Sequence, residues 1–407
     1  MPPLDLTPLE TLAPAVEKVA GKKAPPPLRM MAARGLAPLK PAEQLTALYQ
    51  LATSISEDPA AGQDAAKSAA MKTATELPEK LLSAALGEPL EIRVLDFFAR
   101  RVWQRPKLLE VVLLNRATSD VTFQHLATLC AENELEMIAK NEERLLRHPP
   151  IIAALYLNPR TRMSTAQRAV ELAVRNGVKV DGIPAFEETQ KVIAESQARP
   201  QTPEEAARED AAFKRAAEVV LDTSTQLIVA APEDANDPDK AAREAEEAAR
   251  AEALAQGVVP PDASKEEVDD KKQRLEDLSP AGQIRAATLG NSFARSVLIR
   301  SKNKQVSMAC IRSPAVSEAE VMNYANNRAL DDDIIRFISH KRQWIRLYGV
   351  KVALCNNPKC PMPIAMGFLP HLRPPELKAL ARSKGIPSAL SNAAKQMLRT
   401  RSGDAGG

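Results

Sequence analysis

One phrase recurs along this chain and limits its fold more than any other feature. EVVLLNRATSDVTFQHLATL (110–129), AALYLNPRTRMSTAQRAVEL (153–172), MACIRSPAVSEAEVMNYANN (308–327) and VALCNNPKCPMPIAMGFLPH (352–371) align under one another. Each has an apolar helix end, then Asn or Ser, usually Pro, a polar turn and a new helix. Proline disfavours helix in the residue before it and can open the helix that follows, so an Asn-Pro step marks a boundary. Thr118, Thr161 and Ser317 are the expected N-caps, and Ser317 with Glu320 has capping-box spacing. Asn115 to Asn158 is 43 residues and Ser313 to Asn357 is 44, which reads as a helical repeat.

Alanine and leucine dominate, while glycine and aromatics are sparse. That mix favours helices, which Ala and Leu enter at least cost, over strands, which draw on β-branched and aromatic side chains. The expected organisation is a flexible Pro-rich segment over 1–38 and a first helical array over 39–182. An acidic, partly helical or disordered insert over 183–278 follows, then a basic array over 279–400 and a disordered tail over 401–407. AAEVVLDTSTQLIVAA (216–231) stands out within the insert, as a helix docking on the first array or as a strand. KAAREAEEAARAEALAQG (240–257) reads as a charge-rich helix without an apolar stripe.

A sharper match joins the two tryptophans. ARRVWQRP (99–106) and HKRQWIRL (340–347) share Arg-x-Trp-x-Arg, and EERLLRHP (142–149) and ARSVLIRS (294–301) are looser copies. Arg101, Arg105, Arg144, Arg147, Arg295, Arg300, Arg342 and Arg346 would then recur on equivalent helices, and stacked copies would form a ladder of guanidinium groups. Lys302 and Lys341 extend it. One reading turns the ladder toward a ligand. The other, ranked ahead of it, has each Arg bonding carbonyls or acidic caps of the neighbouring repeat. Asn115, Asn158, Asn291 and Asn357 are candidate contacts for a bound peptide backbone, although stabilising the turn is their commoner use.

LNPRTRMSTAQRAVELAVRNGV and RAATLGNSFARSVLIRSKNKQV resemble an uncharacterised bacterial helical-repeat family within the HEAT-like and leucine-rich-repeat-variant α-solenoids. The resemblance covers residues 40–182 and 279–400. It implies an all-α fold: a right-handed α-solenoid of irregular HEAT-like helix pairs in two arrays, interrupted by the acidic insert, with a concave binding surface. It specifies no activity.

Little points to catalysis. His125, His148, His340 and His371 are scattered, and no phosphate-binding glycine loop or nucleophile elbow occurs. Cys355 and Cys360 invite a zinc reading, yet they align with packing and helix-mouth positions of the other copies, and two cysteines fall short of four convergent ligands. Asp331, Asp332 and Asp333 precede a helix and suit its dipole. No enzyme, metal or cofactor is expected.

Charge is strongly segregated. From Glu187 to Asp277 acidic residues outnumber basic ones two to one, and from Ala281 onward basic residues lead by nearly three to one. The expected function is a non-enzymatic scaffold that grips an acidic or extended protein partner through a concave, Arg-bearing surface. Nucleic-acid binding by the basic array is the alternative. The acidic insert is also expected to fold back on the basic array as an intramolecular contact. The chain opens without a basic segment leading into an apolar one, and no apolar run reaches bilayer length. With its cysteines in apolar settings, the reading is a soluble, reducing, cytoplasmic protein without membrane contact.

Overall fold

The structure, a computed structural model, describes residues 7–54, 63–196, 202–220 and 265–403. Among these residues the regular elements are all helices, with no strand. None of the helices is long and apolar enough to cross a membrane. The chain divides into two compact units, Met1–Gly182 and Ile183–Gly407.

The first unit begins earlier than expected. Within the 1–38 segment, which its prolines suggested was flexible, helices run over Pro14–Ala20 and Pro26–Ala33. Proline at the first helical position costs nothing, because that N–H lacks an intrahelical partner anyway. Val16, Val19 and Ala20 are buried as the first helix packs on Pro41–Thr53, and Ala32 and Ala33 are buried in the second, which packs on Gln63–Glu76.

Beyond these, helices pack in two rows. Glu79–Leu86 meets Pro106–Leu114, which meets Glu132–Ala139. Ile92–Val102 meets Asp120–Leu129, which meets Pro150–Leu157. Starts at 79, 106 and 132 in one row, and 92, 120 and 150 in the other, make a helix pair recur every 26–30 residues. The 43-residue spacing is therefore corrected: Asn115 caps a helix of one row and Asn158 a helix of the other, about one and a half pairs apart. Pro41–Thr53 packs into the same core, with Tyr49 edge-on to Phe97 of Ile92–Val102 at 5.4 Å and Phe97 edge-on to its helix neighbour Phe98 at 5.1 Å.

The second unit repeats the plan. Pro280–Leu289 packs on Lys304–Arg312, which packs on Asp332–His340. Glu318–Asn326 packs on Tyr348–Asn356, which packs on Pro374–Arg382, and the last of these pairs with Ser388–Gly403. Ser313 and Asn357 again cap helices of opposite rows. A short helix, Glu142–Arg147 in the first unit and Arg342–Ile345 in the second, interrupts each series.

The insert is not a separate linker where it is described. Phe186–Ser196, Pro203–Val220 and Lys265–Glu276 are helices of the second unit, packed on one another or on Pro280–Leu289, Ser292–Leu298 and Lys304–Arg312. Ala216, Val219 and Val220 are buried there, so the start of the 216–231 stretch docks on the second array rather than the first. The rest of that stretch and all of 240–257 lie outside the described residues. The terminal helix reaches Gly403, three residues into the stretch expected to be a tail.

Local capping follows the chemistry with a one-residue shift. Ser317 and Glu320 form the expected capping box. Ser119, not Thr118, caps Asp120–Leu129, because Thr118 is buried and its hydroxyl donates to Val112 O at 2.6 Å. Met163–Arg175 starts after Arg162 without a side-chain cap, so Thr161 is not one either.

Candidate functional site

The arginines of the first unit bond inward. Arg101 donates to Phe97 O at 2.6 Å with its guanidinium 3.4 Å from the Phe97 ring centre, and burial pushes its pKa down to about 10. Arg105 donates to Leu77 O (3.2 Å) and Thr75 O (2.8 Å), tying its turn to the preceding helices. Arg144 donates to Thr118 O (2.7 Å) and Asp120 Oδ1 (2.8 Å) and lies over Phe123. Arg147 holds both Asp120 oxygens at 2.8 Å. Those bonds, Arg147's foremost and Arg144's next, hold the Asp120 carboxyl below its usual range against the opposing effect of partial burial. Arg105, Arg144 and Arg147 thus bond across to earlier elements and Arg101 back to its own helix, which favours the seam reading of these four over the ligand-facing one.

Arg295 is the most enclosed of the candidates. Its Nε and Nη2 grip Glu320 at 2.9 and 3.0 Å, and it also donates to Ala315 O and Gly290 O. A buried, bidentate, fully bonded guanidinium is part of the core and has no face for a ligand. This corrects its placement in a binding set.

The others differ. Arg300, Lys302, Arg342 and Arg346 are exposed. Lys341 is half-buried, its ammonium 4.0 Å from the Trp344 ring centre. Among the described residues the guanidinium groups of Arg342 and Arg346 make no ion pair. Trp344 itself is buried edge-on to Phe337, whereas Trp103 is half-buried at the C-cap of Ile92–Val102. The two tryptophan motifs thus occupy different settings, and the eight arginines do not form one ladder.

The asparagines are seam residues. Asn115 donates to Leu86 O (2.6 Å) and Glu88 O (3.0 Å) while its oxygen accepts from Ala117 N. Asn158 donates to Ala127 O (2.9 Å) and accepts from Arg160 N. Asn357 donates to Ala325 O (2.8 Å) and accepts from Lys359 N. One side chain so fixes its own turn and satisfies the open carbonyls ending the previous helix of its row. The residue two positions later assists: Arg160 reaches Leu129 O and Lys359 reaches Leu330 O. Asn291 caps Ser292–Leu298 and donates to Val219 O. Their amides are occupied by the chain's own backbone, which corrects the peptide-contact assignment.

Cys355 and Cys360 are buried, with Sγ contacts to Ala365 O and Pro361 O. Burial pushes their thiols up to about 12 and about 11, away from the thiolate a metal or an electrophile needs. Asp331 caps its helix through Asp333 N, while Asp332 and Asp333 pair with Lys359 and Lys304.

Exposed basic side chains gather on the last helices, within the array whose sequence reads as basic. Arg336, Arg373, Lys378, Arg382, Lys384 and Lys395 are exposed together with Arg342 and Arg346. Residues 334–403 carry thirteen Lys and Arg and a single carboxylate, Glu376. That count is the signal from which the face was readable. Comparison with protein-family models, with curated proteins and with solved structures finds no match.

Proposed function

We propose that this protein is a non-enzymatic cytoplasmic α-solenoid whose second unit binds an anionic macromolecule. The observation that supports the reading is the excess of basic residues over 334–403, thirteen Lys and Arg against Glu376, of which Lys359 is paired with Asp332 from just outside the stretch. Like charges four apart on one helix face repel by a few tenths of a kcal/mol each. Lys378 with Arg382 is such a pair on an exposed face. An external anion relieves that repulsion. In the first unit Arg105, Arg144 and Arg147 are instead engaged with the chain's own acceptors, which suits a scaffold role.

Retention of the full-length protein on immobilised heparin, a generic polyanion, tests this. The protein is expected to be retained at low salt and to elute earlier as the Arg342→Ala/Arg346→Ala variant. Passage of the folded protein without retention at low salt overturns the reading.

A further inference from the structure

We infer that the anionic partner is double-helical nucleic acid, held through its phosphates without base reading, with the Pro374–Arg382 and Ser388–Gly403 hairpin as a principal docking face. This rests on the anion-binding reading above and narrows it.

Three observations separate a phosphate backbone from an acidic protein. The first concerns anchors. Protein interfaces concentrate their affinity in a few apolar or aromatic residues inserted into the partner. Among the described residues, the large apolar side chains that are exposed all lie in the first unit, Leu36 and Leu114 most of all. The basic face offers none.

The second concerns the type of cation. Lysine is depleted at protein interfaces but serves phosphate well as a point charge. Lys378, Lys384 and Lys395 are exposed on or beside the hairpin, with Arg382 and Arg399 one turn from two of them. Paired cations four residues apart sit about 6 Å apart along a helix axis. Each of the two packed helices therefore carries exposed cations spaced along its axis, a spacing suited to a rail of regularly spaced charge.

The third concerns the strand number. Single strands are held by stacking bases on exposed aromatic rings. Here Trp344 and Phe368 are buried, Phe337 is half-buried, and Tyr348 is half-buried with the Arg373 guanidinium 4.8 Å from its ring centre. No exposed aromatic ring lies on this face among the described residues. Charge without stacking suits a duplex, whose bases are already stacked.

Among the described residues, the acidic helices do not pack on the Pro374–Arg382 and Ser388–Gly403 hairpin. Arg312 pairs with Glu187 and Glu188, and the described insert helices pack on Pro280–Leu289, Ser292–Leu298 and Lys304–Arg312 or on one another, while the hairpin cations are exposed.

The test uses the full-length chain and fluorescence anisotropy across a salt series. The probes are two duplex DNAs of unrelated sequence, a duplex RNA, the matching single strand, and a polyglutamate peptide of similar charge. The expected result is tighter binding of all three duplexes than of the strand or the peptide, with little dependence on sequence. The Lys378→Ala/Arg382→Ala/Lys395→Ala variant is expected to bind every duplex more weakly and to lower the log–log salt slope by about 2.7. A thermal melt matching the parent shows that the variant is folded, as substitutions at exposed positions allow. Peptide binding equal to or tighter than duplex binding overturns this inference and leaves the anion-binding reading standing. Tighter binding of the single strand overturns the duplex assignment. Heparin retention without duplex binding separates failure of this inference from failure of the broader one.

Discussion

The two short helices make the most instructive comparison in the molecule. Glu142–Arg147 follows Glu132–Ala139 and precedes Pro150–Leu157, just as Arg342–Ile345 follows Asp332–His340 and precedes Tyr348–Asn356. In the first unit both arginines close on Asp120, the residue after the Ser119 cap. In the second unit the residue after the Ser317 cap is Glu318, which is exposed, and Arg342 and Arg346 stay in solvent. The neighbouring carboxylate, Glu320, is already held by Arg295. An arginine's role here is decided by the acceptor within reach, not by the motif around it.

Substitutions at these contacts should separate the two arginine settings. The largest effect is expected at the buried pair. Glu320→Ala leaves Arg295 charged and enclosed, and should cost the second unit about 3–5 kcal/mol, measured by urea unfolding. A loss below about 1 kcal/mol would mean that Arg295 escapes to solvent and is not core. Asp120→Ala should cost the first unit less, about 2 kcal/mol, because Arg147 is half-exposed and regains water.

Asp120 also predicts a pH dependence. Its carboxyl pKa is lowered in the folded chain, so the unfolded chain binds the proton more readily. The contribution is present above the unfolded value of about 3.9 and is lost as pH falls through the folded one. Asp120→Ala should therefore flatten the acid limb of the first unit's melting curve, and an unchanged limb would remove Asp120 as its cause.

Smaller effects are expected at the seams. Asn158→Ala removes the turn bond and uncovers Ala127 O, at about 1–2 kcal/mol, and Asn357→Ala should match it in the other unit. Unequal costs would show that the two seams are not equivalent. Smallest of all, Arg342→Ala/Arg346→Ala should stay within about 0.5 kcal/mol in stability, while heparin retention falls.

The helices were legible in the apolar spacing of stretches such as EIRVLDFFARRV, and the seams in LNP and NNP, where proline and asparagine have local chemistry. The repeat length was not. An asparagine seam occurs in helices of both rows, so aligning LNR with LNP steps from one row to the other. The early helices were hidden because Pro14 and Pro26 look like breakers when they are starters. The arginine ladder failed for a different reason. The acceptors of Arg105, Arg144 and Arg147 lie 24–30 residues away and become neighbours only on packing. Net charge needs no such knowledge, which is why the basic array was visible at once.

Arginine-selective modification of the full-length protein with phenylglyoxal, read residue by residue by mass spectrometry, tests the contrast between the two arginine classes most directly. Arg342, Arg346 and Arg382 should react quickly in the folded chain, and Arg144 and Arg295 only after denaturation. Reaction of Arg144 or Arg295 at the rate of Arg342 would contradict the division into inward clamps and an outward basic face.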